Sequence, residues 1–190
     1  GERRLRAAAV RLGSHRHHSE IGGPQRFSHG SGTSLIKLAN VRREPVRGQL
    51  AVGTEILLGN IANTDAQMLS QGLSALGINV YYHTVVGDNP QRLRAAVEIA
   101  RRRADILITT GGLGPTCDDL TKNVLAECFG RPLVRHEASA RRIEAYFRSI
   151  GRPMTENNYQ QAMLPEGCTV LDNDWGTAPG CYFERGGVRV

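Results

Sequence analysis

The segment Thr109-Thr110-Gly111-Gly112-Leu113-Gly114-Pro115-Thr116-Cys117-Asp118-Asp119-Leu120-Thr121 puts glycines, hydroxyls and paired carboxylates in one short stretch. Glycine permits positive φ and a close approach of backbone to ligand, and the first turn of a helix offers unpaired N–H groups to an anion. Phosphate is the natural guest of such a loop. Asp118 and Asp119 would repel a bare phosphate, so a divalent cation between these acids and a diphosphate is the more economical arrangement. The plainer reading is that one of the two acids only caps the helix that follows.

The elements around this segment decide whether it can act. Ile106-Leu107-Ile108 reads as a buried strand running on to Thr110, and Leu120, Val124, Leu125 and Cys128 follow at helical spacing, with Gly130 as a stop. The loop is therefore a strand-to-helix exit, where open α/β sheets bind their ligands. Upstream, Leu50 to Val52 reads as a short strand entering Gly53-Thr54-Glu55, and Asn63 is an N-cap for a helix with Ala66, Leu69, Leu73 and Leu76 on one face, ended by Gly77. Val80 to Val86 is a second strand leaving through Gly87-Asp88, with Asn89 as N-cap and Pro90 at the first position of a helix closed by Arg101 to Arg103.

Downstream, Glu137 to Ile150 reads as a helix with Ile143, Phe147 and Ile150 inward and Arg141, Arg142 and Arg148 on a solvated face. Thr155 to Asn158 opens a short helix toward Met163, which Pro165-Glu166-Gly167 ends. Residues 168 to 172 and 180 to 184 form a late hairpin around Gly176-Thr177-Ala178-Pro179-Gly180. Strands alternating with helices predict an α/β, three-layer sandwich with a mostly parallel sheet. Parallel strands bring their carboxyl ends to one edge, so Glu55, Asp88 and Asp119 can converge there, three acids around a glycine loop that suit a divalent ion bound to a diphosphate; the plainer reading is that Glu55 and Asp88 are surface or turn residues.

Charge divides the chain. Residues 1 to 48 hold ten of the 24 Lys and Arg against three of the 18 acids, so the formal +6 is +7 from this part and −1 (14 against 15) from residues 49 to 190. The alkaline balance therefore says nothing about the second part, and nucleic acid is not an expected partner. Residues 1 to 48 show no sustained period and read as a disordered or non-native extension. Their Arg-rich, acid-poor makeup resembles an organellar transit peptide and equally a mistranslated upstream sequence. His15, His17 and His18 lack partners at zinc-site spacing. The chain begins at Gly1 rather than Met, as a fragment would. No apolar stretch reaches transmembrane length, so no membrane is expected. Cys117, Cys128, Cys168 and Cys181 are widely spaced without a C-x-x-C pair, which reads as reduced thiols in a cytoplasmic protein.

From about residue 50 onward, five motifs in order carry a resemblance: Ala51 to Gly59 with Asn63-Thr64, Val85 to Asn89, Thr110 to Thr121, Thr155 to Asn158, and Gly176 to Gly180. Together they resemble the amino-terminal domain of competence/damage-inducible protein A (CinA), in the MoaB/MogA-like molybdopterin-binding superfamily. The resemblance implies a three-layer α/β domain that forms a homo-oligomer and hydrolyses the pyrophosphate bond of ADP-ribose, or a related nucleoside diphosphate sugar, to AMP and ribose 5-phosphate with a divalent metal ion. Molybdopterin binding or adenylyl transfer in molybdenum cofactor biosynthesis is the alternative. It further implies that Asp88 and Asp119 are the catalytic or metal-associated pair. The substrate-binding set it implies is Gly53, Thr54, Glu55, Asn63, Gly111, Gly112, Gly114, Thr116, Asp118, Asn157, Gly176 and Thr177.

The resemblance also implies that relatives often carry a carboxy-terminal domain that deamidates nicotinamide mononucleotide, a domain expected to be absent from residues 1 to 190. Two departures set further expectations. Arg47-Gly48-Gln49 replaces a longer apolar run, so the first strand should be short or poorly paired. The chain also stops at Val190, before the strand and Leu-Pro-Gly-Pro-Pro-like loop that complete the family's site, so its carboxy-terminal part should be truncated and the site incomplete.

Overall fold

A computed structural model describes residues 45–190. The extension up to residue 44 and its histidines lie outside the described residues. The element order is β1 (Arg47–Val52), α1 (Thr54–Leu57), α2 (Thr64–Ala75), β2 (Tyr82–Val86), α3 (Pro90–Arg103), β3 (Ile106–Thr110), α4 (Thr121–Cys128), β4 (Leu133–Arg135), α5 (Glu137–Ser149), a 3-10 helix (Glu156–Ala162), β5 (Met163–Pro165), β6 (Thr169–Leu171), β7 (Gly180–Tyr182), β8 (Glu184–Arg185) and β9 (Val188–Arg189).

The main sheet has the order β2-β1-β3-β9-β8. Its first four strands run parallel, and β8 turns back antiparallel on β9. Leu50, Val52, Val86, Leu93, Val97, Leu107, Val124, Leu125, Phe129 and Phe183 form the core. The α3 helix shows how sequence becomes packing: Asn89 Oδ1 accepts the Arg92 N–H at 3.0 Å, Pro90 fixes the first turn, and Leu93, Val97 and Ala100 fall on the buried face. Leu93 is 1% exposed, so truncating it to alanine would cost about 3 kcal/mol. α2 has the same logic, with Asn63 Oδ1 accepting from Ala66 N at 3.1 Å and Gly77 at φ 71° ending the helix.

The first strand corrects the expectation drawn from its polar start. β1 begins at Arg47, every one of its residues is buried, and it pairs with β2 on one side and β3 on the other. A Cβ at Gly48 would stand 3.6 and 3.8 Å from the Cβ atoms of Ala104 and Tyr82, in ordinary van der Waals contact. Gln49 Nε2 donates to Ser70 Oγ at 3.1 Å, and Ser70 Oγ lies 3.1 Å from His83 Nε2, while the buried Gln49 Oε1 has no hydrogen-bond partner among the described residues.

Four other expectations shift. β2 starts at Tyr82 rather than Val80. Ile150 lies past the last turn of α5 and is exposed rather than inward. Arg142 is drawn out of the solvated face, donating to the Asn173 carbonyl and pairing with Asp172 at 3.5 Å and Asp174 at 3.2 Å. Residues 163 to 165, read as the end of a helix, instead form β5 against β4, a pairing that short strands leave unmarked in sequence.

A candidate phosphate site at the strand exits

The carboxyl ends of β2, β1 and β3 adjoin at one edge of the sheet. Gly53 N donates to Val86 O at 2.9 Å, joining the exits of β1 and β2. Gly111, at φ 83°, approaches β1 so closely that any Cβ would collide with the Val52 carbonyl oxygen. Gly112, at φ 61°, has the Thr121 hydroxyl where a side chain would be. Glycine is required at both positions by conformation and by space.

Two aspartates hold this edge in matching fashion. Asp88 Oδ2 accepts the N–H and the hydroxyl of Thr54 at 2.9 and 2.8 Å, and Thr54 Oγ1 accepts Asp88 N–H at 3.1 Å. The exits of β1 and β2 are thus clamped to each other. Asp119 Oδ2 accepts the N–H and hydroxyl of Thr116 at 2.8 and 2.6 Å, folding the glycine loop back on itself. Gly114 packs against this carboxylate, which lies 2.6 Å from where a Cβ would stand. Neither acid caps α4: its N-cap is Leu120, without a side-chain bond. The Thr121 hydroxyl, fully buried, donates to Gly111 O at 2.8 Å and secures the loop from below.

Burial pushes the Asp119 carboxyl up, but the Thr116 hydroxyl and amide, the Gly114 amide and the charge of Lys122 outweigh it, holding the group below the usual carboxylate range. Lys122 is the residue that motif reasoning missed. It is 5% exposed, and its ammonium donates to the carbonyls of Gln160 and Gln161 at 2.8 and 2.9 Å. Burial lowers it to about 8, against the pull of the Asp119 carboxylate. Its only sequence signal is a lysine in the first turn of a helix that opens on a glycine loop.

The remaining expected residues divide. The Glu55 carboxyl folds over Gly53, 3.0 to 3.2 Å from its would-be Cβ, so it belongs to the same edge. Asp118 is exposed, 3.8 Å from the Cys117 thiol. The side chain of Asn63 is engaged in capping α2. Asn157 is exposed on the 3-10 helix, whose far end holds Lys122, while the buried Asn158 pairs with Thr155 at 3.4 Å. Gly176 and Thr177 lie instead beside α5, on a loop held by Asn173, whose Oδ1 accepts from Trp175 N and Gly176 N at 3.0 and 3.1 Å. Among the described residues, no three His, Cys, Asp or Glu side chains stand together as a metal-ligand group. The donor set therefore does not fit a cation caged by protein alone.

The family profile described as a probable molybdopterin binding domain matches residues 48–189. The chain belongs to this family. Its CinA kinship rests on a crystal structure of the protein CinA from Thermoplasma acidophilum, at 31% identity and TM-score 0.67, covering 76% of this chain and 85% of that one. CinA-like proteins of Dictyoglomus turgidum and Dictyoglomus thermophilum are each 58% identical over 138 and 137 residues, covering 73% and 72% of this chain. Those residues are 34% and 33% of the relatives, so this CinA-type domain spans about a third of their length. No helix among the described residues is long and apolar enough to cross a membrane.

Proposed function

We propose that this domain hydrolyses the pyrophosphate bond of ADP-ribose or a related nucleoside diphosphate sugar, giving AMP and ribose 5-phosphate. The observation that carries this reading is the pair of threonine-clamped aspartates, Asp88 and Asp119, at the exits of β2 and β3 on either side of β1, beside a glycine loop on the same edge of the sheet. With no cage for a cation among the described residues, a divalent ion in this reading arrives as part of the substrate, its shell completed by phosphate oxygens and water. Such an ion would screen the diphosphate charge.

The residues then have distinct tasks. The amides of Gly114 and Thr116 serve Asp119, so the phosphate falls to the amides of Gly111, Gly112 and Leu113. Asp119, held below the usual carboxylate range, is a poor store for a proton. Its part is to orient a water toward phosphorus rather than to keep that water's proton. Asp88 and Thr54 hold the neighbouring wall. The same reading carries a homo-oligomer, for which the exposed Leu57, Leu58 and Ile61 beside this wall offer apolar surface.

The test is AMP release from ADP-ribose, with and without a divalent ion, by the wild-type chain and Asp119→Asn. A loss of about a hundredfold is expected in the variant; equal rates would remove Asp119 from the reaction. The description of the family profile favours a second reading, molybdopterin binding. Tight retention of molybdopterin with no cleavage of ADP-ribose would put that reading first.

A further inference from the structure

The fold joins two cysteines that the sequence keeps apart. Cys168 enters β6 directly after the turn at Gly167, whose φ is 68°, and Cys181 is the middle residue of β7. The antiparallel register pairs Val170 with Cys181, which places Cys168, one pleat further along, on the same face and diagonal to Cys181. The two thiols meet across this diagonal in a hydrogen bond. Both residues are half-buried, the Arg131 guanidinium acts on Cys168, and the Lys122 ammonium acts on Cys181. Cys168 has no part in the site described above, and Cys181 bears on it only through Lys122.

We propose that Cys168 and Cys181 are a disulfide-exchange pair, a modification site whose co-reactant is a small-molecule disulfide of the glutathione type. Cys168 is the attacking sulfur and Cys181 the resolving one. The Cys168 thiolate attacks one sulfur of the co-reactant, forming a mixed disulfide and expelling one small thiolate. That thiolate takes the Cys181 proton. The Cys181 thiolate then attacks the Cys168 sulfur, closing the protein disulfide and expelling the second small thiolate, which is protonated from solvent. Two protein thiols are oxidised, and one small disulfide is reduced to two thiols.

The surroundings set this order. The hydrogen bond from Cys181, and then the charge of Arg131, outweigh burial and lower the Cys168 thiol to about 7, where the thiolate is abundant near neutrality. The hydrogen bond to Cys168 and burial push the Cys181 thiol up, so it waits protonated until the first step has removed the Cys168 charge. Closure requires the sulfurs to move from hydrogen-bond contact to about 2.0 Å. Cys168 stands outside the β6–β7 ladder, before its first paired residue Thr169, so that end of the chain can shift without breaking a strand pair. Elsewhere, Cys117 is exposed beside Asp118, and burial and Glu98 raise the Cys128 thiol.

The test is incubation of the full chain with oxidised glutathione, alkylation of the remaining thiols, and peptide mapping by mass spectrometry. The expected product joins the Cys168 and Cys181 peptides. Cys181→Ser should stop at a glutathionyl adduct on Cys168, and Cys168→Ser should leave Cys181 reduced. Because serine is close in size to cysteine, both variants should keep the fold, and the wild-type chain supplies a comparison free of substitution. Its linked product should form at least about tenfold faster in buffer than in urea, because only the fold apposes the sulfurs. Equal rates with and without urea, stable separate adducts on both cysteines of the wild-type chain, or equal adducts in the two serine variants would each overturn the proposal.

Discussion

The Nζ of Lys122 lies 2.8 Å from the carbonyl oxygen of Gln160. This bond and its neighbour at Gln161 tie the first turn of α4, directly behind the glycine loop, to the end of the 3-10 helix. A charged group has been taken out of water to join two segments, and the Gln160 carbonyl also accepts the Met163 N–H.

Replacing Lys122 by methionine should therefore lower stability by about 1–3 kcal/mol near pH 7, because two charge-assisted hydrogen bonds to carbonyls are lost. The pH dependence has a definite sign. Burial lowers the folded-state value from 10.5 to about 8, so between these limits the unfolded chain binds more protons than the folded one. Stability from this group then rises with pH across that window. Below it, both states are charged and the burial penalty is felt in full. The gap between wild type and Lys122→Met should widen as pH rises above about 8, measured by urea unfolding at several pH values. A gap that narrows would refute this reading of Lys122.

Gly111 and Gly72 make a paired prediction. Alanine at Gly111 meets both a positive φ and the Val52 carbonyl, and should cost about 3 kcal/mol or more. Gly72 lies within α2 with nothing inside 4 Å of its would-be Cβ, so alanine there should stabilise by about 0.5–1 kcal/mol. Thermal or urea unfolding of the two variants reads both signs.

Thr116→Val removes the hydroxyl that donates to Asp119 at 2.6 Å while keeping the residue's size and amide. The Asp119 carboxyl should move back up toward its ordinary value. A lowered carboxylate contributes stability above its unfolded value and loses it as pH falls through its folded one. The variant should give up part of that contribution, under about 1 kcal/mol for a bond this exposed. In the proposed reaction, the acidic limb of AMP release should move to higher pH. An unchanged limb would mean that Asp119 does not titrate in the reaction.

The elements that could be read directly from the chain are those whose signals are local. Ile106–Thr110 was legible as a run of apolar residues, and Asn63 and Asn89 as caps, because a cap is decided within four residues. Gly111 and Gly112 were legible as a loop that needs glycine. Residues 47 to 49 were misread because their polarity is outweighed by pairing on both sides of β1, a non-local effect. Ile150 was misplaced because helical periodicity does not mark the turn at which α5 stops.

By itself, the sequence determined the alternation of strands and helices, the turn positions and the family, since propensity, capping and motif order are properties of neighbouring residues. Only the tertiary structure decided that Asp88 binds Thr54 across two strand exits, that Asp119 serves its own loop, that Lys122 is buried on two carbonyls, and that Cys168 meets Cys181. Except for the Asp119–Thr116 bond, these pairs join residues distant along the chain. Strand register and helix docking, rather than residue type, bring such partners within hydrogen-bonding distance.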